Sequence, residues 1–139
     1  MNIKKRIEEQ VSHCYRKEHV NCAATILKVL EDHFHTKLQD QVLEAAIGMH
    51  GAGRYGAQCG LVEGSLMFIG IHGSEKGWEK DRSISICYRF AAAFEKKFGS
   101  LSCSSLRPDG FNDNQPPHLC MDLTQEAAEF TIDCLKQNS

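Results

Sequence analysis

The chain has 139 residues and a mass of 15.6 kDa, the size of one domain of about 100–150 residues with its own core. Hydrophobic residues make up 42% and charged residues 24%, which excludes intrinsic disorder. Sixteen Lys and Arg against eighteen Asp and Glu give a net charge of −2, so nucleic acid is not an expected partner. The longest apolar stretch, Leu66–Ile71, is far shorter than the ~20 residues that a bilayer requires. We predict one soluble, cytoplasmic domain over residues 1–139.

Apolar residues recur at helical spacing in the first third of the chain. The spacing predicts a first helix over residues 3–14 and a second that begins at the N-cap Asn21 and ends near Phe34. Asp40 is predicted to cap a third helix, which ends in the glycines after Ile47. A glycine-rich turn over residues 50–60 then leads to Cys59.

Residues 59–71 are apolar on nearly all sides, which is typical of a buried central helix. A polar loop around Trp78 is predicted over residues 72–80. A fifth helix follows over 82–98 and stops at Gly99, and a short helix is predicted within 100–106. A loop over 109–117 leads to a last helix, which an Asp122/Gln125 capping box begins. The predicted fold class is all-α, a compact bundle of five to six helices.

Three glycines, Gly51, Gly53 and Gly56, match the spacing of the dinucleotide-binding fingerprint. That motif binds a pyrophosphate only where a strand enters the turn and a helix leaves it. The residues before Gly51 have helical spacing. We therefore interpret these glycines as a flexible or tightly turned segment that leads to Cys59.

Cysteine is the first unusual residue type, with an odd count of seven. This content of ~5% is below the ~8–10% of a disulfide scaffold, and a reducing cytosol disfavours structural disulfides. Cys14, Cys87 and Cys134 fall on apolar helix stripes. We interpret these three as small buried hydrophobic residues whose thiols have an ordinary or raised pKa.

The other four cysteines share a placement at helix starts. Cys22, Cys59 and Cys103 begin predicted helices, and Cys120 lies just before the last one. Helix N-termini present free N–H groups and a positive dipole end, which stabilise the thiolate that redox chemistry and metal ligation require. Cys59 also follows the cationic Arg54 closely and is the candidate redox thiol.

Gly60 and Gly64 lie four residues apart and share one face of the central helix. Without side chains, that strip lets another backbone or a bulky group approach closely. These two glycines are the predicted cofactor-binding residues.

The segments Asn21-Cys-Ala-Ala-Thr-Ile-Leu27, Cys59-Gly-Leu-Val-Glu-Gly64 and Ser-Leu-Ser-Cys-Ser-Ser-Leu106, followed by Cys120, resemble the putative redox-active proteins of the C_GCAxxG_C_C type. The resemblance covers residues 20–135. Members have about this length, four characteristic cysteines and a Cys-Gly-Ala-x-x-Gly centre. Leu61 stands where that pattern has Ala, and its larger side chain narrows the space beside Cys59.

The resemblance implies redox activity. Related domains are joined to cytochromes of the split-Soret kind, where an iron–sulfur centre is associated with such a domain. The favoured hypothesis is therefore an electron-transfer site in which Cys22, Cys59, Cys103 and Cys120 bind an iron–sulfur cluster or another metal. The expected partner is a redox protein or oxidoreductase.

Three alternatives stay open. A metal-free thiol–disulfide protein would use Cys59 as the attacking thiolate. A helical binding domain, as a monomer or a homodimer, would use its cysteines only for packing. A zinc site is the third, because His19 and His118 stand near Cys22 and Cys120 in the sequence. Whether the protein is an enzyme is left open by the sequence.

Overall fold

The computed structural model describes residues 2–106 and 121–138. In these residues the fold is all-α, which confirms the predicted class. The helices are more numerous than five to six, because short segments accompany five long ones. Their bounds are α1 Ile3–His13, α2 Cys22–Phe34, α3 Asp40–Ala45, α4 Gly51–Arg54, α5 Gly60–Lys76, α6 Lys80–Phe98, α7 Cys103–Leu106 and α8 Met121–Gln137. None of these helices has both the length and the apolar character needed to cross a membrane.

The helices α2 and α5 form the centre of the bundle and approach each other closely at Gly64. A Cβ atom at Gly64 would lie 2.6 Å from the carbonyl oxygen of Ala23 and would overlap the Cγ2 of Ile26. Phe68, Phe90 and Phe94 are the largest fully buried side chains of the core. The predicted close approach of another backbone to the glycine strip is therefore present, and α2 provides it.

Three helices, α2, α5 and α8, run in parallel and begin at the same end of the bundle. Gly60 of α5 faces Cys22 and Ala23 at the start of α2, and Gly64, one turn later, faces Ala23 and Ile26. Near the start of α8, the Thr124 hydroxyl lies 3.0 Å from the hydroxyl of Tyr15, in the connection that leads into α2. At the other end, Arg82 in the first turn of α6 donates to the carbonyl of Asn138 at 3.0 Å.

The predicted polar loop over residues 72–80 is wrong. Helix α5 continues to Lys76 and ends at Gly77, which has a φ of 76°. His72 is only 3% exposed and packs against the rings of Phe34, Phe68 and Trp78, so its position is a core position. Among the described residues its Nε2 has no hydrogen-bond partner. Because histidine counts as a polar residue, the pattern of apolar residues did not indicate that position 72 belongs to the core.

Of the three predicted N-caps, one is confirmed and two are wrong. Asn21 caps α2 as predicted, because its Oδ1 accepts a hydrogen bond from the N–H of Ala24 at 2.8 Å. Asp40 is not a cap, since Gln39 holds that position and Asp40 is the first helical residue. Asp122 lies inside the first turn of α8, so the predicted capping box is wrong as well. The predicted loop over 109–117 lies outside the described residues.

Candidate functional site

Cys22 is the first residue of α2 and follows the cap Asn21 directly. The Asn21 amide nitrogen donates to the carbonyls of Ala46 and Ile47 at 3.0 and 2.9 Å and lies 3.0 Å from the Nδ1 of His50. This one side chain therefore caps α2 and also holds the segment before the glycine-rich turn against the start of α2.

The Cys22 sulfur lies against the first residue of α5. A Cβ atom at Gly60 would overlap the Cys22 Sγ and would lie 2.9 Å from the carbonyl oxygen of Met49. Only a glycine therefore permits this arrangement, which brings the Cys22 sulfur next to the residue that follows Cys59. A role for Gly60 and Gly64 in holding a cofactor stays a prediction.

Cys59 and Cys103 are held on two paired segments. The N–H of Cys59 donates to the carbonyl of Leu101 at 2.8 Å, and the N–H of Cys103 donates to the carbonyl of Ala57 at 2.7 Å. The residues between them, Gln58 and Ser102, form an isolated antiparallel bridge. This short ladder joins the start of α5 to the start of α7. Both cysteines are buried, with 5% and 6% exposure.

The glycine-rich turn wraps over Cys103 in a left-handed conformation. Four consecutive residues, Gly51–Arg54, have positive φ angles. A Cβ atom at Gly51 would lie 3.2 Å from the Sγ of Cys103. A helix and a 3₁₀ turn precede Gly51, and the glycines form a tight turn before Cys59, which is one of the two forms expected for this segment.

Three of the four predicted cysteines therefore come together at one end of the bundle, although 37 and 44 residues separate them in sequence. Cys22 is half-buried and is the most exposed of the three. The candidate redox thiol Cys59 is enclosed at the N-cap of α5. Cys120 lies outside the described residues, and Met121, the residue after it, begins α8 at this same end.

The sequence analysis did not identify His50 as a neighbour of the site. Burial lowers the pKa of His50, and the positive charge of Arg54 lowers it further. His19, one of the two histidines considered as zinc ligands, is an exposed left-handed residue at the end of the π-helical turn Cys14–Glu18. His118, the other one, lies outside the described residues. The sequence signal that could have identified His50 as a neighbour of the site is its position beside the glycine motif.

The cysteines outside the site have raised pKa values, as predicted. Burial raises the pKa of Cys14 to about 11, and the neighbouring carboxylate of Glu18 adds to the effect. Burial also raises the pKa of Cys87 and of Cys134. Cys14 is fully buried, but Cys87 and Cys134 are only half-buried, so the predicted burial is wrong in degree for these two. None of the three is suited to act as a reactive thiolate.

The comparison with protein families decides the identity of the chain. A family model described as "Putative redox-active protein (C_GCAxxG_C_C)" matches residues 20–134. The chain belongs to this C_GCAxxG_C_C family. No curated protein and no solved structure shows a significant match. The matched segment contains all four predicted site cysteines and leaves out Cys14.

The capacity of the C_GCAxxG_C_C site to bind a metal ion depends on how its possible ligands are grouped. Within residues 2–106 and 121–138, no three side chains of His, Cys, Asp or Glu are grouped so that they could hold a metal ion. The described cysteines therefore do not form a metal site by themselves. The predicted iron–sulfur or zinc ligation stays a prediction.

Proposed function

We propose that this C_GCAxxG_C_C protein is a thiol–disulfide redox protein in which Cys22 is the accessible thiol and Cys59 its buried partner. The main support is the contact at Gly60, where the Cys22 sulfur lies against the residue that follows Cys59. A disulfide requires Cα atoms within about 7 Å, and this close approach of α2 to α5 favours that pair. The sequence analysis had Cys59 as the attacking thiolate. Its enclosure is the reason for giving that role to Cys22.

The helix starts supply the electrostatics of the proposed reaction. Cys22 occupies the first turn of α2 and Cys59 the N-cap of α5, positions where free N–H groups and the positive end of the dipole stabilise a thiolate. Because α2, α5 and α8 begin at one end, their three dipoles add there. The cationic residue Arg54 belongs to the left-handed turn whose first residue, Gly51, contacts Cys103.

The proposed reaction moves two electrons. The Cys22 thiolate attacks a disulfide in the partner, forms a mixed disulfide and releases one partner thiolate. The Cys59 thiolate then attacks the Cys22 sulfur and releases the second partner thiolate. The products are a Cys22–Cys59 disulfide and a partner dithiol, which has gained two electrons and two protons.

The test is oxidation of the reduced protein with diamide, followed by peptide mass spectrometry. We expect one disulfide between Cys22 and Cys59 that dithiothreitol reverses. Cys22→Ser and Cys59→Ser should each prevent it, while Cys87→Ser, in a matched half-buried thiol, should not. Because burial raises the pKa of Cys87, Cys22 should also react with iodoacetamide faster than Cys87. Equal rates for the two cysteines would refute the proposal.

A metal centre is the second candidate function. The observation that favours it is the common end at which α2, α5 and α8 begin, since the fourth predicted ligand, Cys120, immediately precedes α8 in the sequence. Four thiolates satisfy an iron–sulfur cluster or zinc, and such a group would supply one-electron transfer or structural support. Iron and acid-labile sulfide measured in protein purified without oxygen would establish the cluster. Protein free of metal that forms the Cys22–Cys59 disulfide would exclude this candidate.

A further inference from the structure

The three described site cysteines stand in parts of the chain that are nearly free of charge. No Asp, Glu, Lys or Arg occurs between Glu18 and Lys28, the segment of Cys22. None occurs between Lys97 and Arg107, the segment of Cys103. The third segment, which contains Cys59, runs from Glu44 to Glu63 and contains a single charged residue, Arg54.

In a chain with 24% charged residues, buried segments without charge are expected, but the segment before Cys59 is exposed. Ile47 is 69% exposed in the 3₁₀ turn that precedes Gly51, and Tyr55 is 88% exposed directly after the left-handed turn that encloses Cys103. Arg54 lies between them in the sequence and is exposed as well. We call these three residues, Ile47, Arg54 and Tyr55, the glycine-turn face.

Backbone strain also marks this face. Ala52 and Arg54 have φ angles of 54° and 70°, a left-handed conformation that L side chains other than Asn and Asp rarely adopt. A fold keeps such residues where the surrounding structure holds them, and strained residues concentrate at functional sites. Here the strained turn displays Arg54 and Tyr55 beside the site cysteines.

We propose that the glycine-turn face is the docking surface for a protein dithiol partner whose contact face is apolar and acidic. Exposed Ile and Tyr side chains match an apolar contact, and aromatic residues are enriched in interface centres. The single cation, Arg54, fits a carboxylate of the partner. The nearest acid along the chain, Glu63, accepts a hydrogen bond from Gln58 and adds one local negative charge on the first turn of α5. This inference rests on the proposed thiol–disulfide function.

The docked partner reduces the Cys22–Cys59 disulfide. One partner thiolate attacks the Cys22 sulfur, and Cys59 leaves as a thiolate. The second partner thiolate then breaks the mixed disulfide and releases Cys22. The partner becomes a disulfide, and two electrons and two protons pass to this protein.

The test measures how fast the oxidised protein is reduced by reduced bacterial thioredoxin, an acidic dithiol protein, and by the small reductant dithiothreitol. We expect Ile47→Ser and Tyr55→Ser each to lower the thioredoxin rate constant at least about fivefold, with the dithiothreitol rate within about twofold of wild type. Arg54→Glu should lower the thioredoxin rate about tenfold in low salt and remove its decrease with added salt. The matched controls are Ile84→Ser, Tyr88→Ser and Arg89→Glu, which change exposed residues of α6 and should leave both rates unchanged.

Each other outcome has a definite meaning. Wild-type protein that dithiothreitol reduces but thioredoxin does not, or equal effects of the α6 and glycine-turn variants, would overturn the docking proposal alone. A protein whose Cys22–Cys59 disulfide never forms would overturn the proposed function instead. Sedimentation as a dimer that Tyr55→Ser dissociates would assign the glycine-turn face to a second copy of the chain and overturn the partner proposed here.

Discussion

The contact of Gly64 with α2 predicts how much one methyl group costs at the centre of the bundle. In Gly64→Ala, the new Cβ would lie 2.6 Å from the Ala23 carbonyl oxygen, whereas ordinary contact begins at 3.4 Å. The opposing atoms are a backbone oxygen and the branched, fully buried side chain of Ile26, and neither can turn away. Helices α2 and α5 must therefore separate by nearly 1 Å, a shift of a kind that costs about 1–3 kcal/mol in packed cores.

Helix propensity acts in the opposite direction and has to be subtracted. Replacing Gly by Ala in a helix interior stabilises it by about 1 kcal/mol. Gly70→Ala isolates this gain, because Gly70 lies in the same helix, is exposed and has no atom within 4 Å of a Cβ placed there. We expect Gly70→Ala to raise the free energy of unfolding by about 0.5–1 kcal/mol and Gly64→Ala to lower it by about 0–2 kcal/mol.

Urea unfolding followed by circular dichroism measures both variants on one scale. The slope of the free energy against urea concentration should stay constant, since neither change alters the surface exposed on unfolding. If Gly64→Ala is as stable as Gly70→Ala, the helices are not in contact at Gly64, and the account of how the cysteines are brought together fails with it.

Three further predictions follow from other parts of the molecule. Ala52→Gly removes the strain of a left-handed alanine and should raise the free energy of unfolding in urea by about 1 kcal/mol, whereas Ala57→Gly, at an exposed residue without positive φ, should not raise it. Burial lowers the pKa of His72, so the unfolded chain binds its proton first and stability should fall as the pH drops below about 6.5. The fluorescence of Trp78, the only tryptophan, measures that loss of stability. His72→Phe should reduce the pH dependence of the stability. The part that remains is due to His33 and His50, whose pKa values are also lowered. Asn21→Asp keeps the cap of α2 but loses the amide donor to Ala46 and Ile47, so it should destabilise by about 1 kcal/mol in thermal unfolding, less than Asn21→Ala, which loses both.

Local patterns predicted the elements of this fold better than their contacts. Helical spacing and the cap Asn21 were sufficient for α2, and Gly99 marked the end of α6 as predicted. The prediction failed at residue 72, where an imidazole inside an aromatic cluster looks polar in the sequence. Leu61 is buried in the hydrophobic core with 1% exposure, and the expected narrowing of the space beside Cys59 stays a prediction.

The candidate site was predictable only as a set of residues. Helix starts and the family pattern selected Cys22, Cys59 and Cys103, but neither says which sulfur is enclosed. That depends on the short ladder around Gln58 and Ser102 and on a left-handed turn, and both are tertiary arrangements without a periodic signal. The positions of His50 and Asn21 follow from the same packing. A sequence pattern that counts cysteines cannot contain this information.

The parallel course of α2, α5 and α8 has a consequence for folding. Parallel neighbours cannot be joined by a tight turn, so the chain must travel the length of the bundle before each of these helices can dock. No single segment of the chain can form the site by itself, because its cysteines come from segments far apart in the sequence. A chain that has folded only as far as α2 carries Cys22 with no partner segment beside it. The cysteines of the site can come together only when α5 packs on α2 across the bare strip at Gly60 and Gly64.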